Sequence, residues 1–211
     1  MRHIHPLQPI ILIILIVAMY YFRKQQKANS PKAAGPGEPR AAISRPKEPK
    51  EEKTPEAVYM DLRQKALQRM PGSLDVELQE SQPYGLVMEM DMSSSVVTLA
   101  CFIDGDAGVY YKTGGGMKGG IGHETVRNAS REAIALTESV LPRMIPTTNF
   151  PLPGADRVRF YVLTPQGIFT TETSRQSLSE QSALSPLFYA GQEVVSQMRL
   201  VQEQRAAAVP A

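Results

Sequence analysis

The chain has 211 residues, 42% of them apolar and 21% charged, with a net charge of +2. That length holds one domain with additions rather than two large ones, and a near-balanced charge without Trp leaves no electrostatic footprint for nucleic acid. A single cysteine, Cys101, excludes an internal disulfide and a cysteine-rich metal site and suits a reducing compartment.

Residues 7–22 read LQPIILIILIVAMYYF, with no charge until Arg23. A helix needs about 18–20 apolar residues to cross a bilayer, so this run is short but sufficient. Tyr20, Tyr21 and Phe22 close it where amphipathic rings favour the headgroups, and Arg23, Lys24 and Lys27 mark the boundary with water. Ala18-Met19-Tyr20 lacks the small-residue pattern of signal-peptide cleavage, so a retained single-pass anchor is expected. The cations after the run outnumber those before it, which favours the cytoplasmic side for the remainder of the chain. The next stretch, with SPKAAGPGEPRAAISRPKEPKEEK at its centre, has almost no large apolar residue except Ile43 and cannot form a core. The expected organisation is a short tail and transmembrane helix over 1–22, a disordered Pro/Ala/Lys/Glu-rich linker over 23–54, an α+β domain over 55–204 and a disordered tail over 205–211.

Thr54-Pro55-Glu56 is a helix start: a hydroxyl cap, Pro at the first helical position and an early carboxylate. Val58, Leu62, Ala66 and Met70 recur at spacing four, with Tyr59 and Leu67 beside them, in one apolar stripe that ends at Met70-Pro71-Gly72. Leu74, Val76 and Leu78 alternate with polar residues as a short edge strand. Leu86, Met88, Met90 and Met92 alternate with Val87, Glu89 and Asp91, predicting a strand with one buried face. VVTLACFI, from Val96 to Ile103, is apolar throughout, as a central strand covered on both faces would be. Asp104-Gly105-Asp106 reads as a hairpin turn rather than a calcium loop, because Val109 and Tyr110 stand where later ligands would be needed. GVYYK returns as a third strand and runs into GGGMKGGIG.

From His123 onward Val126, Ala129, Ala133, Leu136 and Val140 recur at spacings of three and four, the clearest helix in the chain, closed by Pro142 and Pro146. Val158, Phe160 and Val162 alternate as a strand, Thr164-Pro165-Gln166-Gly167 turns, and residues 168–173 pair back. After a polar stretch, Ser185-Pro186 opens a last helix striped by Leu187, Gly191, Val194, Met198 and Val201. The order helix, three strands, helix, two strands, helix, with short turns between strands, predicts an α+β domain built on an antiparallel five-stranded sheet. This element order, from Thr54 to Gln204, is similar to the type III secretion chaperone-like fold. That resemblance implies a dimer that grips extended polypeptide rather than an enzyme.

Ligand chemistry concentrates at one locus. Gly114-x-Gly116-x-x-Gly119 spells a dinucleotide pattern, but the mechanism needs a parallel strand and a crossover helix, and here the preceding strand belongs to a meander. Backbone N–H groups freed by Gly114, Gly115, Gly116 and Gly120, with Lys118 and with His123 at the helix start, also suit an anion, although Glu124 opposes one. His123 has neither a nucleophile nor a metal partner in sight, and Cys101 lies in the most apolar strand. The expectation is therefore no catalytic set, no cofactor and no metal. The expected role is a non-enzymatic membrane-anchored module that binds a protein partner or pairs as a homodimer. Anion or nucleotide-phosphate binding at residues 114–122, with weak hydrolytic activity, is the alternative.

Overall fold

A computed structural model describes residues 53–208 apart from position 75. The expected membrane span over 7–22 and the linker up to residue 52 lie outside the described residues. Among the described residues no helix is long and apolar enough to cross a membrane.

The elements in chain order are α1 (Pro55–Leu67), β1 (Gly85–Asp91), β2 (Val96–Phe102), β3 (Ala107–Tyr111), β4 (Gly116–Lys118), α2 (Glu124–Val140), β5 (Ile145–Thr147), β6 (Arg157–Thr164), β7 (Gly167–Ser174), α3 (Arg175–Ser179) and α4 (Ser185–Ala207). The strands form one sheet in the order β4-β3-β2-β1-β6-β7-β5, with every neighbouring pair antiparallel. The domain is thus α+β, as expected, with seven strands in place of five. The two additions are the three-residue edge strands β4 and β5, too short to show a period and containing Gly116 and Pro146. The strand expected over Leu74, Val76 and Leu78 does not form. A 3-10 turn at Pro71–Ser73 leads into irregular backbone, and these side chains join a core from there without a strand partner.

Alternation along each strand divides the sheet into two faces. One face carries Leu86, Met88, Leu99, Cys101, Val109, Phe160 and Val162, covered by α2, α3 and α4. The predicted stripes of α2 and α4 supply that cover: Val126, Ala129, Ala133 and Val140 from one, and Leu187, Val194 and Met198 from the other, are buried, while Leu136 is half-buried. Gly191 allows the close approach, because a Cβ there would lie 2.6 Å from Met88 Cε. Helix α4 continues to Ala207, beyond the expected limit at 204. α3 forms where only a polar stretch was expected, capped by the Ser174 hydroxyl.

The other face is covered in part by α1, whose Thr54 hydroxyl accepts from Ala57 N–H at 3.2 Å. The helix buries Tyr59, Ala66 and Leu67 of the expected stripe together with Arg63, and leaves Val58 42% exposed. The burial of the arginine has an electrostatic cause. Glu89 is 0% exposed, so β1 is buried on both faces and needs a cation beneath α1. Arg63 supplies it with two parallel bonds, Nε to Glu89 Oε1 at 2.6 Å and Nη2 to Oε2 at 2.9 Å. Thr98 Oγ1 donates to the same Oε1 at 3.3 Å, so its single hydroxyl proton is committed and Tyr59 OH donates to Thr98 at 2.8 Å. Burial works against charge on Arg63, but the bonds and charge of Glu89 prevail and hold its pKa above the ordinary arginine value.

The register extends this polarity across the sheet. Tyr110, Thr98, Glu89, Arg159 and Glu172 stand opposite one another on β3, β2, β1, β6 and β7. Glu172 accepts from Arg157 and Arg159 at 3.1 and 3.0 Å and from Gly154 N–H at 2.8 Å, so signs alternate along the row.

Truncating either member of the buried pair, Arg63→Ala or Glu89→Ala, should cost roughly 3–5 kcal/mol, because each strands the other charge. The double variant Arg63→Met with Glu89→Leu should recover most of that loss, as read by urea unfolding. Burial first, then the Glu89 carboxylate, pushes the phenols of Tyr59 and Tyr161 up to about 12 from 10.0. The unfolded chain therefore releases these protons first: stability is full below pH 10 and is lost as pH climbs through 12. Unfolding midpoints between pH 9 and 12 should fall along that slope, and the slope should flatten in Tyr59→Phe with Tyr161→Phe.

Candidate functional site

The glycine segment is a hairpin, an edge strand and a turn. Tyr111 N–H donates to Gly115 carbonyl and Gly114 N–H to Tyr111 carbonyl, closing β3 onto β4. That turn needs φ of +103° at Gly114 and +83° at Gly115, a region only glycine enters without strain. The bond from Tyr111 to Gly115 places Val109 and Met117 as the next hydrogen-bonded pair, so the N–H and C=O of Lys118 point away from β3. Nothing pairs with that outer edge among the described residues. The chain then makes a 3-10 turn at Gly120–Gly122, with Gly120 buried against Val126 and Ala107. His123 caps α2 through its extended backbone, without a side-chain hydrogen bond to the helix.

Beside β4 lies a hollow of about 120 Å³. Gly116, Met117, Lys118, Gly119 and Gly120 form one wall, Val126 of α2 and Met198 and Val201 of α4 are apolar neighbours, and Gln202 and Arg205 complete it. Arg205 Nη2 donates to His123 Nε2 at 2.8 Å, which sets that ring nitrogen as the acceptor. The expected partners Lys118 and His123 are not brought together. β4 turns Met117 toward the α2 and α4 side, whereas the Lys118 ammonium lies 6.0 Å from the ring centre of Tyr110, on the α1 side. Of the expected anion group, Gly116, Lys118 and Gly120 line the hollow and His123 adjoins it through Arg205, whereas Gly114 and Gly115 lie in the hairpin turn.

Arg205, Gln202, Met198 and Val201 are the lining residues that local sequence reading missed. Met198 and Val201 were legible only as core positions of their helix stripe. Arg205 falls in the stretch assigned to a tail, and its partner His123 is 82 positions away. No short-range spacing signals that meeting.

The other chemistry-bearing groups are committed to structure. Burial pushes the Cys101 thiol up to about 12, so it stays protonated and apolar in character. Asp104 and Asp106 receive the two arms of Arg69 at 2.7 and 2.8 Å, and the Arg69 guanidinium carbon sits 4.2 Å over the Phe102 ring. This ties the β2–β3 hairpin to the end of α1, in keeping with the turn reading of these aspartates. No cluster of metal-binding side chains occurs among the described residues. A second, broader hollow of about 660 Å³ opens between residues 79–83 and the end of α2, faced by Gln79, Ser81, Gln82, Glu138 and Phe169. It lacks the unpaired strand edge that distinguishes β4.

Comparison with protein-family models, curated protein sequences and solved structures gives no match to this chain.

Proposed function

We propose that this chain is a single-pass membrane-anchored protein whose α+β domain is a non-enzymatic protein-interaction module. It receives an extended segment of a protein partner on the outer edge of β4. The observation that carries this reading is the unpaired edge of β4 set directly beside a hollow with apolar side chains on one part of its wall. Strand addition uses such a pairing: main-chain hydrogen bonds supply affinity, and a pocket beside the edge selects a side chain. The opposite edge is less suited, because Pro146 in β5 removes a backbone donor. The apolar run over residues 7–22 and the Pro-rich linker support the anchor and the tether.

The alternative, anion or nucleotide-phosphate binding with weak hydrolysis, draws on the same ground. A hollow of about 120 Å³ falls below the roughly 300–1,000 Å³ of typical small-molecule sites and would take a phosphate-sized group rather than a nucleotide. The engagement of His123 by Arg205 weakens it further.

A photo-cross-linking side chain at Lys118, in membranes from expressing cells, should capture a discrete protein or a second copy of this chain. The same group at Gln166, in the exposed β6–β7 turn, should not. Equal capture at both positions, or none at Lys118, would refute the edge as the contact. A reporter fused after Ala211 should be active on the cytoplasmic side; activity only on the far side would reverse the expected orientation.

A further inference from the structure

Some cations of the domain are held in ion pairs, and others, Arg127, Arg131 and Arg143 among them, are not. Arg63, Arg69, Arg157, Arg159 and Arg175 are each held by a carboxylate at 3.1 Å or less. Lys118 and Arg205, both exposed, flank β4 and form no ion pair among the described residues. The residues lining the hollow include these two cations and no carboxylate. On the α1 side Asp61 is engaged by Lys65 at 2.9 Å and also feels the charge of Lys118, Glu56 is engaged by Lys112 at 3.2 Å, and Asp104 and Asp106 are held by Arg69. On the α4 side Glu203 is turned to Arg199 at 3.6 Å, and Glu124 is an exposed acid in the first turn of α2. The hydrogen bond from Arg205 to His123 uses one of five guanidinium donors, leaving the rest of the fork for a carboxylate.

We infer that the segment received on β4 is an acidic strand, with carboxylates on both of its faces and one apolar side chain beside them. This inference rests on the reading of β4 as a strand-addition edge. Side chains of an added strand alternate between the two sides of the sheet. A residue facing the hollow meets Val126, Met198 and Val201, and the volume there suits a single aliphatic group. Its immediate neighbour faces the other side, where Lys118 stands over Tyr110. The residue two positions along returns to the first side, within the territory of Arg205. The recognised pattern is therefore an apolar residue with an acid next to it and a second acid two positions away. Cations on both sides of the edge reject basic strands and steer acidic ones.

The test is selection from a displayed library of random heptapeptides on the full chain in detergent micelles, followed by binding of the selected peptides to variants. Acidic peptides with one aliphatic residue should be enriched, and each should bind about tenfold more weakly to Lys118→Glu and to Arg205→Glu. Lys118→Pro, which also removes the outward N–H, should abolish binding beyond the loss in Lys118→Ala. Circular dichroism of each variant checks that the fold is kept. Peptides without an excess of acids, or indifferent to both charge reversals yet lost in Lys118→Pro, would overturn the acidic inference and leave strand addition standing. No enrichment, or binding unaffected by Lys118→Pro, would overturn strand addition itself and this inference with it. A dimer that dissociates in Lys118→Pro would make a second copy the occupant and overturn the acidic partner.

Discussion

The bidentate contact between Arg63 and Glu89 is the constraint to which the rest of the domain conforms. A carboxylate at the centre of a sheet, wholly removed from water, is tolerated only with a partner that neutralises it and fills its acceptor sites. That partner comes from α1, so the helix must approach with its arginine down and with Tyr59 and Leu67 on either side. The side chain beneath it is oriented by Thr98, and Thr98 in turn by Tyr59. The loop before β6 contributes as well: Pro151 carbonyl accepts from Arg63 at 3.3 Å and from Tyr161 at 2.6 Å. One charge thereby fixes the position of a helix, a loop and the polar row between them. Helix α1 is an integral layer of the domain rather than a detachable extension of the linker.

That pair also explains where sequence reading succeeded and where it failed. α2 and α4 were legible because their inner faces are apolar and meet an apolar sheet face, the case for which hydrophobic periodicity is a faithful guide. β2 was legible for the same reason, having apolar neighbours on both sides. α1 was legible in Tyr59, Ala66 and Leu67 but not in Arg63, whose burial no apolar stripe announces. β1 was read as half-exposed because Glu89 and Asp91 look like solvent positions, and only the register with Thr98 and Arg159 reveals a buried row. A buried ion pair between residues 63 and 89 leaves no local signal, since each residue taken alone has the composition of surface.

The glycine segment, read from sequence as a ligand locus, is an edge strand only three residues long between two turns. Its glycines serve a hairpin turn and a tight packing contact, and its histidine lies beyond a second turn, at the start of α2. Such a strand is too brief to recognise by period. Its partners in forming a hollow come from the last helix, at the far end of the chain. The chemistry of the locus is therefore that of an open backbone edge with a small apolar recess, and its cations are placed by topology rather than by sequence proximity.

The strand order carries one further consequence, for assembly of the fold itself. β1 to β4 form a meander joined by short turns, so their pairings close small loops and cost little chain entropy. The seam between β1 and β6 pairs Glu89 with Arg159 and residues such as Met88 with Phe160, all distant in sequence. Contacts of that range are slow to form. Until β6 docks, β1 is itself an edge, bearing Leu86, Val87 and Met88 that the finished domain buries completely. A chain whose meander formed first would carry as its unguarded border a strand that the finished domain buries, the kind of surface on which partly folded chains adhere to one another.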